Sequence, residues 1–378
     1  MKRKNLRVAL VHDWLTGMRG GEQVLEVFCE LFPEANLFTL LHIPGTVSET
    51  ITRHPIHTSF INRLPMVKTR YRHYLPLFPT AIERFILKDY DLVLSTSHCV
   101  AKGIIPGPNT LHIAYLHTPM RYVWDMYEEY FGKEKVGFVT RTLISFFANY
   151  LRMWDVTSSQ RVDYFIANSA HVAKRIKKYY RRSAEIIHPP VSTEMFRPAS
   201  GNEGYDLILS ALVPYKKVDL AIEAYNKMQR QLVVVGSGPE KDRLQQLAGP
   251  TIRFYDWQPA EKLPEFYQNC RALIFPGEED FGIVPLEAMA SGKPVIAFGK
   301  GGALETVVGV DNPTGASPTG VFFYRQTPES LIQAVEQSLT INWDAETIHR
   351  HARNFDRSVF KQKIQQFVSE KLSEHFHQ

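Results

Sequence analysis

Strand-sized apolar runs alternate with amphipathic helix-sized runs along nearly all of this 378-residue chain, which predicts an α/β protein made of doubly wound parallel sheets covered on both faces. Two further observations divide it. A single core rarely grows beyond about 250–300 residues, and a proline- and glycine-rich stretch, 189–204, separates two alternating halves. The expected organisation is an N-terminal α/β domain over 1–188, a linker or hinge at 189–204, a second such domain over 205–355 and a last helix over 356–378.

Bulk composition narrows the class. Hydrophobic residues at 44% and charged residues at 22% are those of an ordinary globular protein. No run of about 18 apolar residues is present, so no membrane-spanning helix is expected. The opening MKRKNLRVALVHDW is basic and then apolar, but Val8 to Val11 is too short for a signal sequence and reads as a first strand. Cys29, Cys99 and Cys270 are far apart and odd in number, which argues against disulfides or a zinc site and for a cytoplasmic location. Residues 1–190 hold 25 Lys and Arg against 16 Asp and Glu, whereas 191–378 hold 19 against 23. The basic half suits an anionic partner, either phosphate groups or an acidic membrane surface.

In the first half, Val8 to His12 is a strand, and the loop Asp13 to Glu22 leads into a helix carrying Val24, Leu25, Val27, Phe28 and Leu31. Gly20 and Gly21 in that loop would let backbone amides approach a phosphate or sugar, or they serve only a turn. Residues 53–84 combine Arg and Lys with aromatic residues and prolines; this segment either packs on its own domain or faces a membrane or lipid-linked acceptor. Leu92 to Leu94 and Leu111 to Leu116 are strands, the second delivering His117 to the carboxyl edge where open sheets place ligands. A helix over Thr140 to Trp154, strand Tyr164 to Ala167 and a helix ending in the basic run Lys174 to Arg182 complete this half.

The second half reads as strand Asp206 to Ser210, helix from Val218, strand Leu232 to Val235, helix from Pro239, strand Ile252 to Tyr255 and helix from Pro264. After Gly236 the pattern Gly-Ser-Gly-Pro lacks the third glycine of a dinucleotide fingerprint, which disfavours an NAD enzyme. Lys216 and Lys217 precede the helix at Val218, a poor place for cations unless an anion binds there. The apolar run ending at Phe275 then meets the stretch FPGEEDFGIVPLEAMASGKP, a strand, an acidic loop and a short helix. Glu279 precedes that helix, Glu287 lies within it, and the free amides at its start favour an anion between them. Strand Val321 to Tyr324 and helices at Glu329–Leu339 and Val359–Phe376 close the chain.

Residues Glu279, Phe281, Gly282, Ile283, Glu287, Ala288, Met289, Ala290, Gly292, Pro294 and Val295 closely resemble the E-x(7)-E signature of glycosyltransferase family 4. Tyr-x-His-Thr-Pro-x-Arg-Tyr-x-Trp around His117 looks like the histidine motif of its bacterial polysaccharide mannosyl- and glucosyltransferase subgroup. The resemblance implies a GT-B fold, two Rossmann-like domains facing a cleft, with a final helix crossing back to the N-terminal domain. It implies a retaining hexosyltransferase that moves mannose or glucose from a nucleoside diphosphate sugar, GDP-sugar favoured over UDP-sugar, to a saccharide or lipid-linked acceptor in polysaccharide biosynthesis. Catalytic roles fall on His117, Glu279 and Lys216. Substrate contacts fall on Gly20, Gly21, Lys217, Gly236, Trp257, Lys262, Phe281, Gly282, Ile283, Val284 and Glu287, with Tyr122, Trp124 and Tyr127 on the acceptor side or in the core.

No metal or other cofactor and no nucleic-acid partner are implied, and the protein would be cytoplasmic or peripheral on the inner membrane face. A literal D-x-D, Asp89 to Asp91, resembles the metal signature of another glycosyltransferase class, but it opens a strand where a metal site would close one. The pattern departs at one place: Ala211 stands where the family has an arginine that clamps the diphosphate, so Lys217 or Arg19 substitutes or donor binding weakens. Gly301-Gly302 either faces the cleft or makes a turn. Two alternatives stay open, a nucleotide-sugar epimerase of the same fold and an inactive nucleotide-sugar-binding protein.

Overall fold

Runs of Val, Leu, Ile and Ala become central strands because parallel strands buried on both faces have no polar side to present. The computed structural model describes residues 6–124, 138–198, 201, 203–313 and 315–376, with the backbone alone for 138–144. Contacts divide the chain into one unit of residues 1–189 with 360–378 and another of 190–359.

In the first unit the strands are β1 (Val8–His12), β2 (Asn36–Thr39), β3 (Ile56–Thr58), β4 (Leu92–Ser97), β5 (Leu111–Leu116), β6 (Tyr164–Ala167) and β7 (Ala184–Ile186). They pair in the order β3-β2-β1-β4-β5-β6-β7, all parallel. β4 runs three residues beyond the apolar Leu92–Leu94, because Ser95, Thr96 and Ser97 are buried in register with β5 and Ser95 Oγ lies 2.8 Å from His112 Nε2. Alternation along the strands sends Ala9, Val11 and Val93 to one face and Val8, Leu10, Leu92 and Leu94 to the other.

Helix α1 (Gly20–Leu31) covers the second of these faces through Val24, Leu25 and Phe28. The first face is covered by the segment from Phe60 to Leu87, including α2 (Phe78–Glu83), and by α3 (Phe138–Ser159) through Ala148 and Leu151. Residues 53–84 form short helical turns that bury Ile61, Val67, Tyr71, Phe78 and Ile82 in this layer, so the segment packs on its own unit. Helix α4 (Ala170–Tyr180) starts at Ser169, whose hydroxyl accepts from the Val172 amide.

The second unit has β8 (Asp206–Leu209), β9 (Leu232–Val235), β10 (Ile252–Tyr255), β11 (Leu273–Phe275), β12 (Val295–Phe298) and β13 (Gly320–Phe323), in the order β10-β9-β8-β11-β12-β13. Both sheets therefore step outward from a first strand, return, and continue on its other side, the doubly wound plan. The helices that matter for the site are α5 (Val218–Met228), α6 (Leu263–Asn269) and α7 (Ile283–Ala290).

The last helix, α8 (Arg357–Phe376), places Phe360, Ile364 and Val368, spaced four apart, into the first unit's core. Phe360 stacks on Phe28 at 6.4 Å and meets Tyr115 edge-on at 5.8 Å between centroids. Phe360→Ala should therefore lower stability by about 3–5 kcal/mol, read as a lower urea midpoint; an unchanged midpoint would mean that α8 contributes nothing to this core.

Candidate functional site

In the second sheet β8 leads to β9 on one side and β11 leads to β12 on the other, which leaves a gap between the carboxyl ends of β8 and β11. Doubly wound sheets bind ligands at such switch points. Beyond β8 a 3-10 turn, Pro214–Lys216, is followed by Lys217 at φ 54° and then by α5. Beyond β11, Gly277 has little room for a side chain: a β-carbon there would lie 3.0 Å from the Lys216 α-carbon and 3.0 Å from the Tyr215 carbonyl oxygen. That approach of two backbones brings Lys216 Nζ onto Glu279 Oε1 as an ion pair, with the side chains 20% and 15% exposed. Two charges so little hydrated need each other or a ligand.

Immediately after this pair α7 begins, with Gly282 as its cap at φ 91° and no side chain on its first amides. Within α7, Glu287 Oε2 accepts from the Tyr267 hydroxyl of α6 at 2.6 Å. Burial raises the Glu287 carboxyl above its ordinary range, and the Tyr267 hydrogen bond opposes this. Gly301 and Gly302 hold the loop from behind: the Gly302 amide donates to the Glu279 carbonyl at 2.8 Å, and a β-carbon at Gly302 would sit 2.3 Å from the Phe281 α-carbon. These glycines serve close packing of the loop.

The remaining sequence-selected residues are spread unevenly. Gly236, at φ 150°, abuts the end of β8, where a β-carbon would lie 1.9 Å from the Ser210 carbonyl oxygen. Lys217 is exposed beside Lys216, and Ile283 and Val284 are half-buried in the first turn of α7. Phe281 is buried against Phe355, centroids 6.1 Å apart, so it offers a ligand its backbone only. Trp257 and Lys262 are exposed beyond β10, the edge strand two places from β8, and the structure does not join them to the Lys216–Glu279 pair.

The first sheet has its own switch point, between β1 and β4. The ends of the adjacent strands β1, β4 and β5 deliver His12, His98 and His117, with ring centroids 6.3 Å apart from His12 to His98 and from His98 to His117. Asp13, fully buried, accepts the amides of His98, Cys99, Val100 and Ala101 at 2.7–2.9 Å and lies 3.2 Å from His98 Nδ1. His12 Nδ1 lies 2.5 Å from Thr96 Oγ1, and its Nε2 lies 3.7 Å from Glu22 Oε1. Glu22 also accepts the Arg19 amide at 3.1 Å. Gly21 touches the same group, since a β-carbon on it would sit 3.6 Å from His117 Nε2.

Burial pushes the Glu22 carboxyl up, but hydrogen bonding and charge from His12 outweigh it and hold the group below its ordinary range. Burial, reinforced by His98 and His12, pushes His117 well below the ordinary imidazole range, so it is neutral near pH 7 and can donate or accept a proton-bearing bond. Thr118, next in the chain, accepts from Arg175 of α4 at 2.7 Å. Trp124 is a packing residue: it stacks on Tyr179 and donates to the buried Asp155 at 2.9 Å. Tyr122 packs against the core over the first sheet face. Tyr127 lies outside the described residues.

Asp91 accepts the Arg7 amide at 2.9 Å at the amino end of β4, opposite the edge that carries the histidines. Among the described residues no cluster of three or more His, Cys, Asp or Glu is arranged to hold a metal, and no helix is long and apolar enough to cross a membrane. The rule that singles out His117, a polar side chain just past a buried strand, applies equally to His12-Asp13 and His98, which motif matching passes over. Tyr267 has no such local signal, because its partner Glu287 is twenty residues away.

Residues 193–355 match the family described as "Glycosyl transferases group 1". The "GDP-mannose-dependent alpha-(1-6)-phosphatidylinositol monomannoside mannosyltransferase" of Mycolicibacterium smegmatis is 33% identical over 195 residues, 41% of this chain and 50% of that protein. The chain thus spans half the length of this curated relative. Among solved structures, sucrose-phosphate synthase from Thermosynechococcus elongatus superposes with a TM-score of 0.72 at 16% identity over 98% of this chain and 100% of that one. HepE of Anabaena in complex with UDP does so with a TM-score of 0.67 at 16% identity over 96% of this chain and 100% of that one. The first of these matches contains every residue of the switch-point site in the second sheet, so that unit resembles the group 1 glycosyl transferases, and the chain shares the two-domain Rossmann-like GT-B fold of its structural neighbours.

Proposed function

We propose that this protein is a retaining hexosyltransferase that takes mannose or glucose from a nucleoside diphosphate sugar, GDP-sugar in preference to UDP-sugar, and passes it to a saccharide or lipid-linked saccharide. The observation that carries the reading is the Lys216–Glu279 pair at the β8–β11 switch point, beside the uncapped start of α7. The preference for GDP rests on the mannosyltransferase relative, whose name specifies GDP-mannose. UDP, held by the HepE structure, is the competing base.

In the reaction the bond from the anomeric carbon to the diphosphate breaks, and a bond to the acceptor oxygen forms on the same face. The acceptor proton leaves with the diphosphate. Negative charge grows on the departing diphosphate, where Lys216 and the first amides of α7 would meet it. Lys216 then exchanges its carboxylate partner for phosphate oxygens, which frees Glu279 for the sugar and its oxocarbenium-like charge. Glu287, fixed by Tyr267, accepts from ribose hydroxyls. Lys217 is the neighbouring cation available where Ala211 replaces the expected arginine. Neutral His117 is the first unit's candidate for hydrogen-bonding a sugar hydroxyl, and no metal ion is needed.

Lys216→Ala and Glu279→Ala should each lower turnover by roughly 10²–10³-fold, whereas Glu287→Ala should chiefly weaken nucleotide binding; equal, small effects from all three would remove the assignment. A thermal-shift panel of GDP- and UDP-sugars should single out the donor, since a ligand at 100 times its dissociation constant stabilises by about 2.7 kcal/mol. Activity should survive EDTA, and strict dependence on added manganese would return the reaction to a metal.

Glu287 also predicts a pH effect on the unliganded protein. Its folded carboxyl binds a proton more tightly than the unfolded one, so stability falls as pH rises from the ordinary carboxylate range through the raised value and levels off above it. Glu287→Gln should remove that fall and melt no lower than the parent at pH 7 while losing nucleotide-induced stabilisation. Parallel melting curves across pH for the two proteins would contradict the burial argument.

A further inference from the structure

The two faces of the first sheet are covered by unlike layers. On the side of α1 and α8, neither helix exposes a large apolar side chain among the described residues. On the opposite side, the segment from Phe60 to Leu87 and helix α3 expose Met66 at 58%, Ile86 at 72%, Phe146 at 75% and Met153 at 57%. Phe146, Tyr150 and Met153 form one stripe of α3, directly opposite Ala148, Leu151 and Asp155, which face the core. The stripe belongs to a helix already anchored on its inner side, so its exposure is not that of a loose end.

Charge in this layer is one-sided. From residue 50 to residue 82 the chain has no Asp or Glu, while it carries Arg53, Arg63, Lys68, Arg70 and Arg72. Arg63, Lys68, Arg70 and Arg72 are exposed and make no ion pair among the described residues. An apolar stripe and exposed cations without an ion pair among the described residues, carried by two segments that cover the same sheet face, are complementary to an anionic interface with an apolar interior, which is a phospholipid surface; a protein partner would have to bring a matching acidic face.

We propose that this layer of the first unit docks on an anionic lipid bilayer. Phe146, Met153 and Met66 enter the headgroup boundary, and Lys68, Arg70 and Arg72 contact lipid phosphates. The protein lies on the membrane and does not span it. This identifies α3 as the apolar half of an interface for which residues 53–84 supply the basic half. It does not depend on the glycosyltransferase reading, because docking needs neither donor nor turnover.

The test is co-sedimentation of the full chain, without nucleotide, with vesicles of phosphatidylcholine alone and of phosphatidylcholine mixed with phosphatidylglycerol. At low salt at least tenfold more protein should bind the anionic vesicles, and raising the salt should reduce this. The triple variant K68E, R70E, R72E should lose the anionic preference, and Phe146→Ser with Met153→Ser should lose the salt-resistant part. Both variants should keep the parent's urea midpoint, which shows that they fold whether or not the protein binds a sugar nucleotide. Equal binding to both vesicle types, or full binding by the variants, overturns the proposal. So does self-association abolished by Phe146→Ser without vesicle binding, which would give the face to a second copy of the chain.

Discussion

A lysine and a glutamate held together at the gap between β8 and β11 impose the requirement that the rest of the second unit meets. Neither side chain is well hydrated, and neither comes from an element that would naturally approach the other. The contact exists because backbones come closer than side chains permit. Gly277 lies against Lys216, Gly302 against Phe281, and Gly236 and Gly238 against the exit of β8, where β-carbons would meet Ser210 and Leu212 carbonyl oxygens at 1.9 and 2.2 Å. Glycine at these positions serves close approach first, and a bound phosphate could exploit the same openness only afterwards.

The first unit solves the same problem with a carboxylate. Asp13, one residue past β1, collects four amides from the turn after β4 and orients His98, while Trp14 packs edge-on against that ring at 4.4 Å. A buried carboxylate satisfied by that many donors is a rigid joint, since losing any one leaves a charge short of a partner. It ties β1 to β4 at the point where the topology opens the sheet, and three imidazoles are thereby held in a row. Each unit thus carries its polar chemistry at the switch point of its own sheet, stiffened by local backbone geometry.

Much of this was legible in the amino-acid order, for identifiable reasons. Val8–His12, Leu111–Leu116 and Leu232–Val235 are strands as their apolar runs require, because burial on both faces leaves no room for another pattern. The acidic stretch at 279–287 was legible because a strand end, a glycine cap and a short helix are all local signals. β4 extends past its apolar run because its last residues are Ser, Thr and Ser, whose burial depends on partners in neighbouring strands. Phe281 is a substrate contact only by resemblance to the family signature, and its side chain turns inward to Phe355, far along the chain. His12 and His98 carry no local motif for a related reason: their meaning arises only when β1, β4 and β5 become neighbours.

On the proposed reading, pairing opposite charges at the β8–β11 gap, where two cations would hold a diphosphate more strongly, has a selective consequence. A free phosphate that draws Lys216 away leaves the Glu279 carboxylate poorly hydrated and without its partner, so part of the gain is cancelled. A complete sugar nucleotide bound as proposed would cancel nothing, because the sugar hydroxyls and the electron-poor anomeric carbon would take up the carboxylate as the diphosphate takes up the lysine. In the proposed reaction the discrimination would grow along the coordinate, since charge on both halves of the donor is greatest as the bond between them breaks. An arrangement that resists simple anions in the ground state therefore favours the bond-breaking geometry over the resting one, which is the condition for binding energy to accelerate a reaction.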